Sequence, residues 1–261
     1  MNYIISLSSI PSRFRNIYET ISSLKSQSIK PSKIILNLPK FYNRFGKLDL
    51  KEIPVIDGLE VKICETDFGP ATKIIPTLKS SNPDQKIIYC DDDIIYGNNW
   101  AESLLKINQH SPDCCVCGIG QSLKIIEIKH KYSGSGNPLT RLMSSVKYRQ
   151  EKKIIKNSFE KQNFSEIAAG YGGVLIKPKF FTANVFNIPP QLWAVDDIWI
   201  SGNLALTNTK IIKDVRGKIN ITFSEASNTD PLTRFVHNQS SRDLLNFEGI
   251  EFFKKKYGIW I

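Results

Sequence analysis

Apolar runs and helix-like spacings alternate along the N-terminal part of the chain. The spacing of Ile17, Ile21 and Leu24 predicts an amphipathic helix of about four turns. A second helical pattern covers residues 70–79. Short apolar-rich segments predict four strands, at residues 3–8, 33–38, 59–64 and 86–91. This alternation predicts an α/β fold in which helices cover both faces of a mostly parallel sheet.

The rest of the chain contains regular segments and one irregular segment. Helices are predicted at residues 99–108 and 194–206, and a strand follows the glycine-rich stretch A-A-G-Y-G-G. The region at about 124–162 is rich in Lys and Arg, has little steady periodicity and contains S-G-S-G-N-P, so we expect a mobile basic insertion there. The tail, N-F-E-G-I-E-F-F-K-K-K-Y-G-I-W-I, predicts an amphipathic helix.

Composition places the chain among ordinary globular proteins and predicts a cytoplasmic location. Apolar residues make up 41% of the 261 residues and charged residues 23%. No run approaches the roughly 18 apolar residues of a membrane-spanning helix. The N-terminus has neither a basic segment nor a cleavage site typical of a secretory signal. The five cysteines show no paired metal-binding spacing and no disulfide framework, which favours a reducing compartment.

Positive charge exceeds negative charge, with 35 Lys and Arg against 25 Asp and Glu, for a formal charge of +10. This excess favours a polyanionic partner such as nucleic acid, an acidic membrane face or a phosphorylated ligand. Charge alone does not choose among them. No recognised nucleic-acid motif is present, so we expect no nucleic-acid partner.

Three consecutive aspartates, Asp91, Asp92 and Asp93, follow the fourth predicted strand. In extended backbone Asp91 and Asp93 project to one side and Asp92 to the other, which suits a shared divalent cation. Mg²⁺ or Mn²⁺ is commonly held by one or two carboxylates, with phosphate oxygens and water completing the shell. The alternative is a solvated acidic turn in which Asp91 caps the next helix. Parallel-sheet topology predicts that these aspartates meet S-S-I-P-S-R and E-T-D-F-G-P-A-T-K at one crevice.

Four segments, in the same order along the chain, resemble the nucleotide-sugar-dependent glycosyltransferases of the GT-A fold. They are I-S-L-S-S-I-P-S-R-F, E-T-D-F-G-P-A-T-K-I-I-P-T-L, the D-x-D motif within D-D-D, and A-V-D-D-I-W-I-S. The resemblance covers about residues 3–237. It implies a single GT-A-like domain, with a nucleotide-sugar-binding half at 1–110, an acceptor-binding half at 111–240 and a C-terminal helix at 241–261.

Carried onto this sequence, the resemblance implies a donor site around the first, third and fourth strands. Pro11 and Arg13 would line the nucleotide pocket, and Asp67 would hold the base or ribose. Lys73 would reach the diphosphate, as suits a cation near a helix N-terminus. Asp92 would touch the ribose.

The resemblance also implies a Mn²⁺ or Mg²⁺ cofactor. Asp93 would be the firm metal ligand, and Asp91 would bind the metal directly or through water. His237 would return from the C-terminal region as a further ligand, because imidazole binds Mn²⁺ well. A surface histidine ahead of a helix cap is the alternative for His237.

The second acidic pair, Asp196 and Asp197, opens the helix predicted at 194–206, where one carboxylate can cap the exposed amides. In an inverting single displacement the acceptor hydroxyl must lose a proton. The resemblance implies that Asp197 is this base and that Asp196 binds acceptor hydroxyls. In a retaining enzyme Asp197 would only orient the substrate. The residues implied to border the acceptor are Tyr171, Gly172, Gly173 and Trp199, and a core position is the alternative for Trp199.

The predicted function is therefore metal-dependent transfer of a sugar from a nucleoside-diphosphate sugar, with UDP favoured, to a glycan or lipid-linked glycan acceptor. One alternative is a nucleotidyltransferase or other phosphoryl-transfer enzyme, although S-S-I-P-S-R-F replaces the glycine-rich loop such enzymes usually have. Another is a non-catalytic module for an anionic surface. The segment F-F-K-K-K-Y-G-I-W-I could rest on an anionic membrane, which would make the protein peripheral at the inner face.

Overall fold

The computed structural model describes residues 2–133, 138–214, 219–231 and 241–261. Fourteen strands lie in these ranges: β1 (Ile4–Ser8), β2 (Lys33–Pro39), β3 (Phe41–Tyr42), β4 (Gly46–Lys47), β5 (Leu59–Cys64), β6 (Ile87–Tyr89), β7 (Ile94–Tyr96), β8 (Cys115–Cys117), β9 (Gly120–Gln121), β10 (Phe164–Ser165), β11 (Ile167–Ala168), β12 (Val174–Ile176), β13 (Ile211–Lys213) and β14 (Ile221–Phe223).

Seven α-helices lie in the same described ranges: α1 (Ile17–Lys25), α2 (Ile75–Ser80), α3 (Trp100–His110), α4 (Leu123–Lys131), α5 (Pro138–Glu160), α6 (Asp196–Leu206) and α7 (Arg242–Tyr257). Two short 3-10 helices, Pro11–Asn16 and Gly69–Lys73, precede α1 and α2. Each begins with a proline in its first turn, where a missing N–H costs nothing. The helices predicted after Pro11 and at 70–79 are therefore each divided into a 3-10 part and an α part.

One eight-stranded sheet, in the order β10-β13-β8-β12-β6-β1-β2-β5, forms the centre of the fold. β1 pairs in parallel with both β2 and β6, and β2 pairs in parallel with β5. β12 is antiparallel to both of its neighbours, β6 and β8, while β8 and β13 are parallel. The predicted α/β class, with a mostly parallel central sheet flanked by helices, is confirmed.

Buried side chains of the central strands alternate between two hydrophobic clusters, one on each face of the sheet. On β12, Val174 and Ile176 join the cluster that contains α2, α6 and α7, while Leu175 joins the cluster that contains α1 and α3. Because successive residues of a strand point to opposite faces, a continuous apolar run fills both clusters at once. This explains why the central strands are apolar without alternation.

The basic region at 124–162, predicted to be an irregular insertion, is mostly helical in the part that the structure describes. It forms α4 and α5, which pack against each other. Lys, Arg and Glu are good helix formers, so a segment rich in them can be helical without a strong apolar period. Across the described ranges, no helix combines the length and the apolar character that crossing a membrane requires.

The C-terminal helix α7 packs against α6 and α4. Phe253 is fully buried, and a Cβ on Gly202 of α6 would lie 2.2 Å from its ring, so this glycine allows the close approach. Trp260 packs on Phe253 with ring centroids 5.2 Å apart. The prediction that this aromatic segment faces a membrane is corrected, because Phe253 lies in the core and Phe252, Tyr257 and Trp260 pack against that core, partly buried.

Gly173 precedes β12 at a position that only glycine fits. Its φ is +82°, and an added Cβ would lie 2.2 Å from the ring of Trp100. We expect Gly173→Ala to lower the free energy of unfolding by about 2–4 kcal/mol, because left-handed strain and overpacking add. Urea unfolding followed by fluorescence measures this loss.

Gly258 provides the matched control, since its φ is +66° but nothing lies within 4 Å of an added Cβ. Gly258→Ala should cost only about 1 kcal/mol, the strain alone. Equal losses in the two variants would contradict the packing part of this explanation.

Candidate active site

A cavity of about 530 Å³ opens where β1, β2, β5 and β6 end. The three segments predicted to converge at this edge all contribute to it, and the residues after β2 form a fourth contribution. Seven aspartates and four basic side chains line it: Asp67, Asp91, Asp92, Asp93, Asp196, Asp197, Asp230, Arg13, Arg44, Lys73 and Arg242. The cavity is therefore acidic, although the chain as a whole is strongly basic.

Lys73 is directed into the floor of the cavity by contacts of its own backbone. The hydroxyl of Ser6, on β1, donates to the backbone carbonyl of Lys73 at 2.6 Å. The same hydroxyl lies 2.7 Å from Thr77 Oγ1, and Asn37 Nδ2 donates to both hydroxyl oxygens. This buried polar network joins β1, β2 and α2, and it fixes the end of the 3-10 helix that contains Lys73.

The Lys73 ammonium is almost fully buried and bridges two carboxylates. Its Nζ lies 2.6 Å from Asp91 Oδ1 and 2.8 Å from Asp196 Oδ2. Burial on its own would lower the pKa of Lys73, but the charges of Asp196 and Asp91 outweigh it and hold that pKa well above its usual value. Lys73, predicted to reach a diphosphate, is therefore already bound to two aspartates from different parts of the chain.

Asp92 and Asp93 lie in a turn and not in a strand, which corrects the predicted division of the three aspartates by side. Arg13 Nη1 lies 2.7 Å from Asp92 Oδ1 and 3.0 Å from Asp93 Oδ2, so these neighbours share one guanidinium while Asp91 pairs with Lys73. Asp92 also accepts from Ser9 Oγ at 2.5 Å. Both oxygens of Asp92 thus have protein donors.

Backbone contacts hold the turn rigidly. Thr20 Oγ1, on α1, donates to the Asp92 carbonyl at 2.9 Å. The backbone N–H of Ser224 donates to the Asp93 carbonyl at 2.9 Å. The three carboxylates are therefore held close together by groups outside the turn.

The closeness of the three carboxyl groups makes ionisation of Asp93 unfavourable. Burial, together with the charges of Asp91 and Asp92, raises its pKa to about 7. A carboxyl that is this costly to ionise, beside Asp91 on the cavity wall, suits an additional cation. Within the described ranges, no group of three or more His, Cys, Asp or Glu side chains is placed to hold a metal by itself. His237 lies outside the described residues.

Asp196 and Asp197 form the first turn of α6, but neither caps it. The N-cap residue is Val195, and no side chain accepts a hydrogen bond there, so the predicted capping role is wrong. Asp196 is 2% exposed. Burial raises its pKa, but Lys73 and Arg242 outweigh this and lower it overall. Asp196 is the counterion of Lys73, and its burial leaves little room for the predicted contact with acceptor hydroxyls.

Asp197 is more accessible than Asp196 and has the opposite electrostatic character. Its Oδ1 accepts from the backbone N–H of Gly170 at 2.9 Å, which fixes the carboxyl at the cavity wall. Burial and the charge of Asp196 raise the pKa of Asp197 to about 7. A carboxyl group with this pKa can exchange a proton near neutral pH.

Several residues that were expected to border the ligands do not line the cavity. Trp199 is 1% exposed and donates to the Val185 carbonyl at 2.8 Å, so the acceptor role is wrong and the core position is the observed one. Gly172 packs against Ile119 and Gly173 against Trp100, so the predicted acceptor role of these two glycines is also wrong. Pro11 starts the 3-10 helix that presents Arg13, and the cavity wall there is formed by Ser8, Ser9 and Ile10.

Asp67 and Tyr171 do line the cavity as expected. Asp67 accepts from the backbone N–H groups of Asn43 and Gly69, each at 2.8 Å. Its carboxylate therefore joins the loop after β5 to the short hairpin of β3 and β4. Tyr171 stacks on Phe223 of β14, with ring centroids 6.4 Å apart, and the pair forms an aromatic wall.

The β3–β4 hairpin and later parts of the chain contribute cavity residues that were not predicted from the sequence. Tyr42, Arg44, Phe45, Trp193, Phe223, Asp230 and Arg242 all line the cavity. The hairpin follows the carboxyl end of β2, so the topological rule that selected the other three segments also applied to it. Trp193 and Arg242 had no comparable signal, because they come from parts of the chain far from the parallel strands.

Lys73 should be required for folding as well as for the site. Lys73→Met leaves the buried Asp196 and the partly exposed Asp91 without their shared cation, and we expect the free energy of unfolding at neutral pH to fall by about 3–5 kcal/mol. The loss should shrink as the pH is lowered, because protonation removes the unpaired charge of the buried Asp196 carboxylate. Urea unfolding at several pH values measures it.

Lys40→Met is the matched control. Lys40 pairs with Glu65 at 3.3 Å on the surface, where both side chains are largely exposed. Its loss should change the free energy of unfolding by no more than about 0.5 kcal/mol. A Lys73→Met protein as stable as this control would show that the buried pairs do not hold the fold.

No protein-family model matches the chain. No curated protein matches it either. Among solved structures it is similar to S. aureus TarS 1-349, with a TM-score of 0.49 and 12% identity over 84% of this chain and 59% of that one. The same fragment in complex with UDP-GlcNAc gives a TM-score of 0.49 and 11% identity over 84% of this chain and 57% of that one. A longer TarS structure gives 0.48 and 12%, over 82% and 35%. The chain therefore spans less than two thirds of TarS, and at this identity the likeness concerns the arrangement of the chain alone.

Proposed function

We propose that the protein transfers a sugar from a nucleoside-diphosphate sugar, with a UDP-sugar favoured, to a hydroxyl of a glycan or lipid-linked glycan. The observation that carries this proposal is the placement of two acidic groups in one cavity. Asp91–Asp93 follow β6, Asp196 and Asp197 open α6, and Lys73 joins the two groups. Such a transfer needs carboxylates for a metal-bound diphosphate and a separate carboxylate for the acceptor proton.

The charge of the cavity supports a Mn²⁺ or Mg²⁺ cofactor. Aspartates outnumber basic side chains along the wall, and Arg13 and Lys73 are already paired with aspartates. A diphosphate alone would therefore meet net negative charge. Asp91 and Asp93 would hold the cation, which matches Mg²⁺ sites built from few carboxylates and substrate phosphates. When bound, such a cation supplies positive charge to stabilise the diphosphate leaving group.

Asp197 is the proposed general base of a single displacement with inversion. The acceptor oxygen attacks the anomeric carbon, the bond from that carbon to the diphosphate oxygen breaks, and the acceptor proton passes to Asp197. The N–H of Gly170 holds one Asp197 oxygen at 2.9 Å and so orients the carboxyl. Asp196 stays ionised as the partner of Lys73. Asp196 is therefore a counterion, whereas Asp197 is the base.

The remaining aromatic lining residues form two groups. Tyr42 and Phe45 lie on the hairpin that Asp67 braces, and this end suits the nucleobase and ribose, since aromatic faces stack on bases. Tyr171 and Phe223 form the other wall and suit an acceptor sugar ring. Arg242, whose charge acts on both Asp196 and Asp197, replaces Lys73 as the proposed cation for donor phosphates.

The metal assignment predicts cation-dependent donor binding. Isothermal titration of UDP in the presence of Mn²⁺ should show binding by the wild type and a loss of at least about tenfold in Asp93→Asn, because a neutral amide is a poor ligand for a hard cation. Without Mn²⁺ the two proteins should bind UDP equally weakly.

Asp57→Asn serves as the control, since Asp57 is fully exposed and lies outside the cavity. It should bind UDP and Mn²⁺ like the wild type. Equal Mn²⁺-dependent binding by wild type and Asp93→Asn would remove Asp93 from the metal site.

The base assignment predicts a separation of binding from catalysis. Asp197→Asn should keep Mn²⁺-dependent UDP binding but lose transfer by about 10²–10⁴-fold, because the amide cannot accept the acceptor proton. Transfer can be measured as UDP release from a panel of UDP-sugars with candidate acceptors. A fully active Asp197→Asn protein would refute the assignment.

The pKa of Asp197, about 7, fixes the sign of the pH dependence. The base must be ionised to act, so the rate in the wild type should fall as the pH is lowered through about 7, by about tenfold per pH unit below it. The residual rate of Asp197→Asn should lack the fall that is due to this group.

A further inference from the structure

The outward side of α5 combines apolar and basic side chains. Leu142 is 62% exposed, Met143 54%, Val146 45% and Ile154 70%. Residues three, four, seven and eleven positions apart lie on one side of an α-helix. By this spacing the four apolar residues share their side of α5 with Lys147, Arg149 and Lys153.

The opposite side of α5 attaches the helix to the protein. Glu151 accepts from Tyr132 Oη, which follows α4, at 2.5 Å. Lys213 of β13 lies over the Phe159 ring, 3.6 Å from its centroid. Tyr148, Ile155 and Phe159 are half-buried there. Within the described ranges the attachment uses this side, and the apolar residues of the outward side are exposed.

The cations of α5 are available to an external anion. Within the described ranges, no acidic side chain lies within 4.0 Å of the charged atoms of Lys147, Arg149, Lys152 or Lys153. This concentration of like charge opposes the packing of α5 against a second copy of itself. Nucleic acid would pair with the cations but would leave the exposed Leu and Met side chains in water. A surface that is both anionic and apolar below its charges satisfies both kinds of side chain.

We propose that the outward side of α5, from Leu142 to Ile154, is a docking surface for an anionic lipid bilayer. Leu142, Met143 and Val146 enter the boundary between headgroups and acyl chains, and the cations contact the anionic headgroups. The position fits access to the cavity: α4, which packs on α5, begins two residues after Gln121, and Gln121 lines the cavity. The element that meets the membrane is thus α5 and not the C-terminal helix.

Vesicle co-sedimentation tests the proposal with the full chain. The wild type should bind vesicles of equimolar phosphatidylglycerol and phosphatidylcholine, and should bind phosphatidylcholine vesicles far more weakly. Removing the three cations of this side, in Lys147→Gln, Arg149→Gln and Lys153→Gln together, should weaken binding on the order of a hundredfold. Replacing Leu142, Met143 and Val146 by Gln should also weaken it, by roughly tenfold. Gln keeps helix propensity high, and circular dichroism checks that the helix is retained.

The matched control removes three exposed cations elsewhere, in Lys30→Gln, Lys40→Gln and Lys51→Gln together. It changes the net charge by the same amount and should bind vesicles like the wild type. Equal losses in the control and the α5 charge variant would overturn the proposal, because net charge alone would then explain binding. Unchanged binding by either α5 variant would also overturn it.

Two further measurements distinguish the bilayer from two other partners of this surface, a second copy of the chain and nucleic acid. If the Gln variant of Leu142, Met143 and Val146 changes the oligomeric state in sedimentation while vesicle binding stays the same, the surface is an interface between copies and the proposal fails. If duplex DNA binds the wild type more tightly than anionic vesicles and displaces them, the proposal also fails. UDP binding measured in each variant keeps this question apart from the proposed sugar transfer, since none of the described α5 side chains, at 142–160, lines the cavity.

Discussion

The buried ammonium of Lys73 is the interaction on which the site depends. A cation this deep in the protein is stable only with its charge balanced by hydrogen-bonded partners. The partners come from separate elements, Asp91 from the turn after β6 and Asp196 from the first turn of α6. Ser6 of β1 holds the Lys73 backbone. One charge therefore joins the parallel half of the sheet to the helix that follows the antiparallel strand β12.

The same arrangement decides which aspartates remain reactive. Asp91 and Asp196 share Lys73, and Asp92 shares Arg13 with Asp93. The pKa values of Asp93 and Asp197 are raised to about 7, because burial and neighbouring aspartates act on them more strongly than the available cations. Each acidic group thus contains one carboxyl that favours an incoming positive charge or proton. This division links the packing of the fold to the chemistry proposed for the cavity.

Local rules were reliable where one backbone geometry determined the outcome. The strand at 59–64 was predicted with the observed bounds, and the convergence of Asp67, Lys73 and Asp91 followed from parallel topology. The rules failed where a local geometry was assumed. Asp91 and Asp93 were placed by strand alternation, but Asp92 and Asp93 lie in a turn. The resemblance placed Trp199 at the acceptor, yet two residues after Asp197 its side chain lies on the opposite side of α6, in the core.

The sequence by itself determined the α/β class, most of the elements and the set of carboxylates at the sheet edge, because apolar periodicity and strand order depend on short stretches of chain. Only the tertiary structure decided how those carboxylates are paired. The distance from Lys73 to Asp196, the approach of Arg242 and Trp193 to the cavity, and the outward side of α5 all depend on contacts between residues remote in sequence. Such contacts are set by packing in three dimensions, and the spacing of residues along the chain does not encode them.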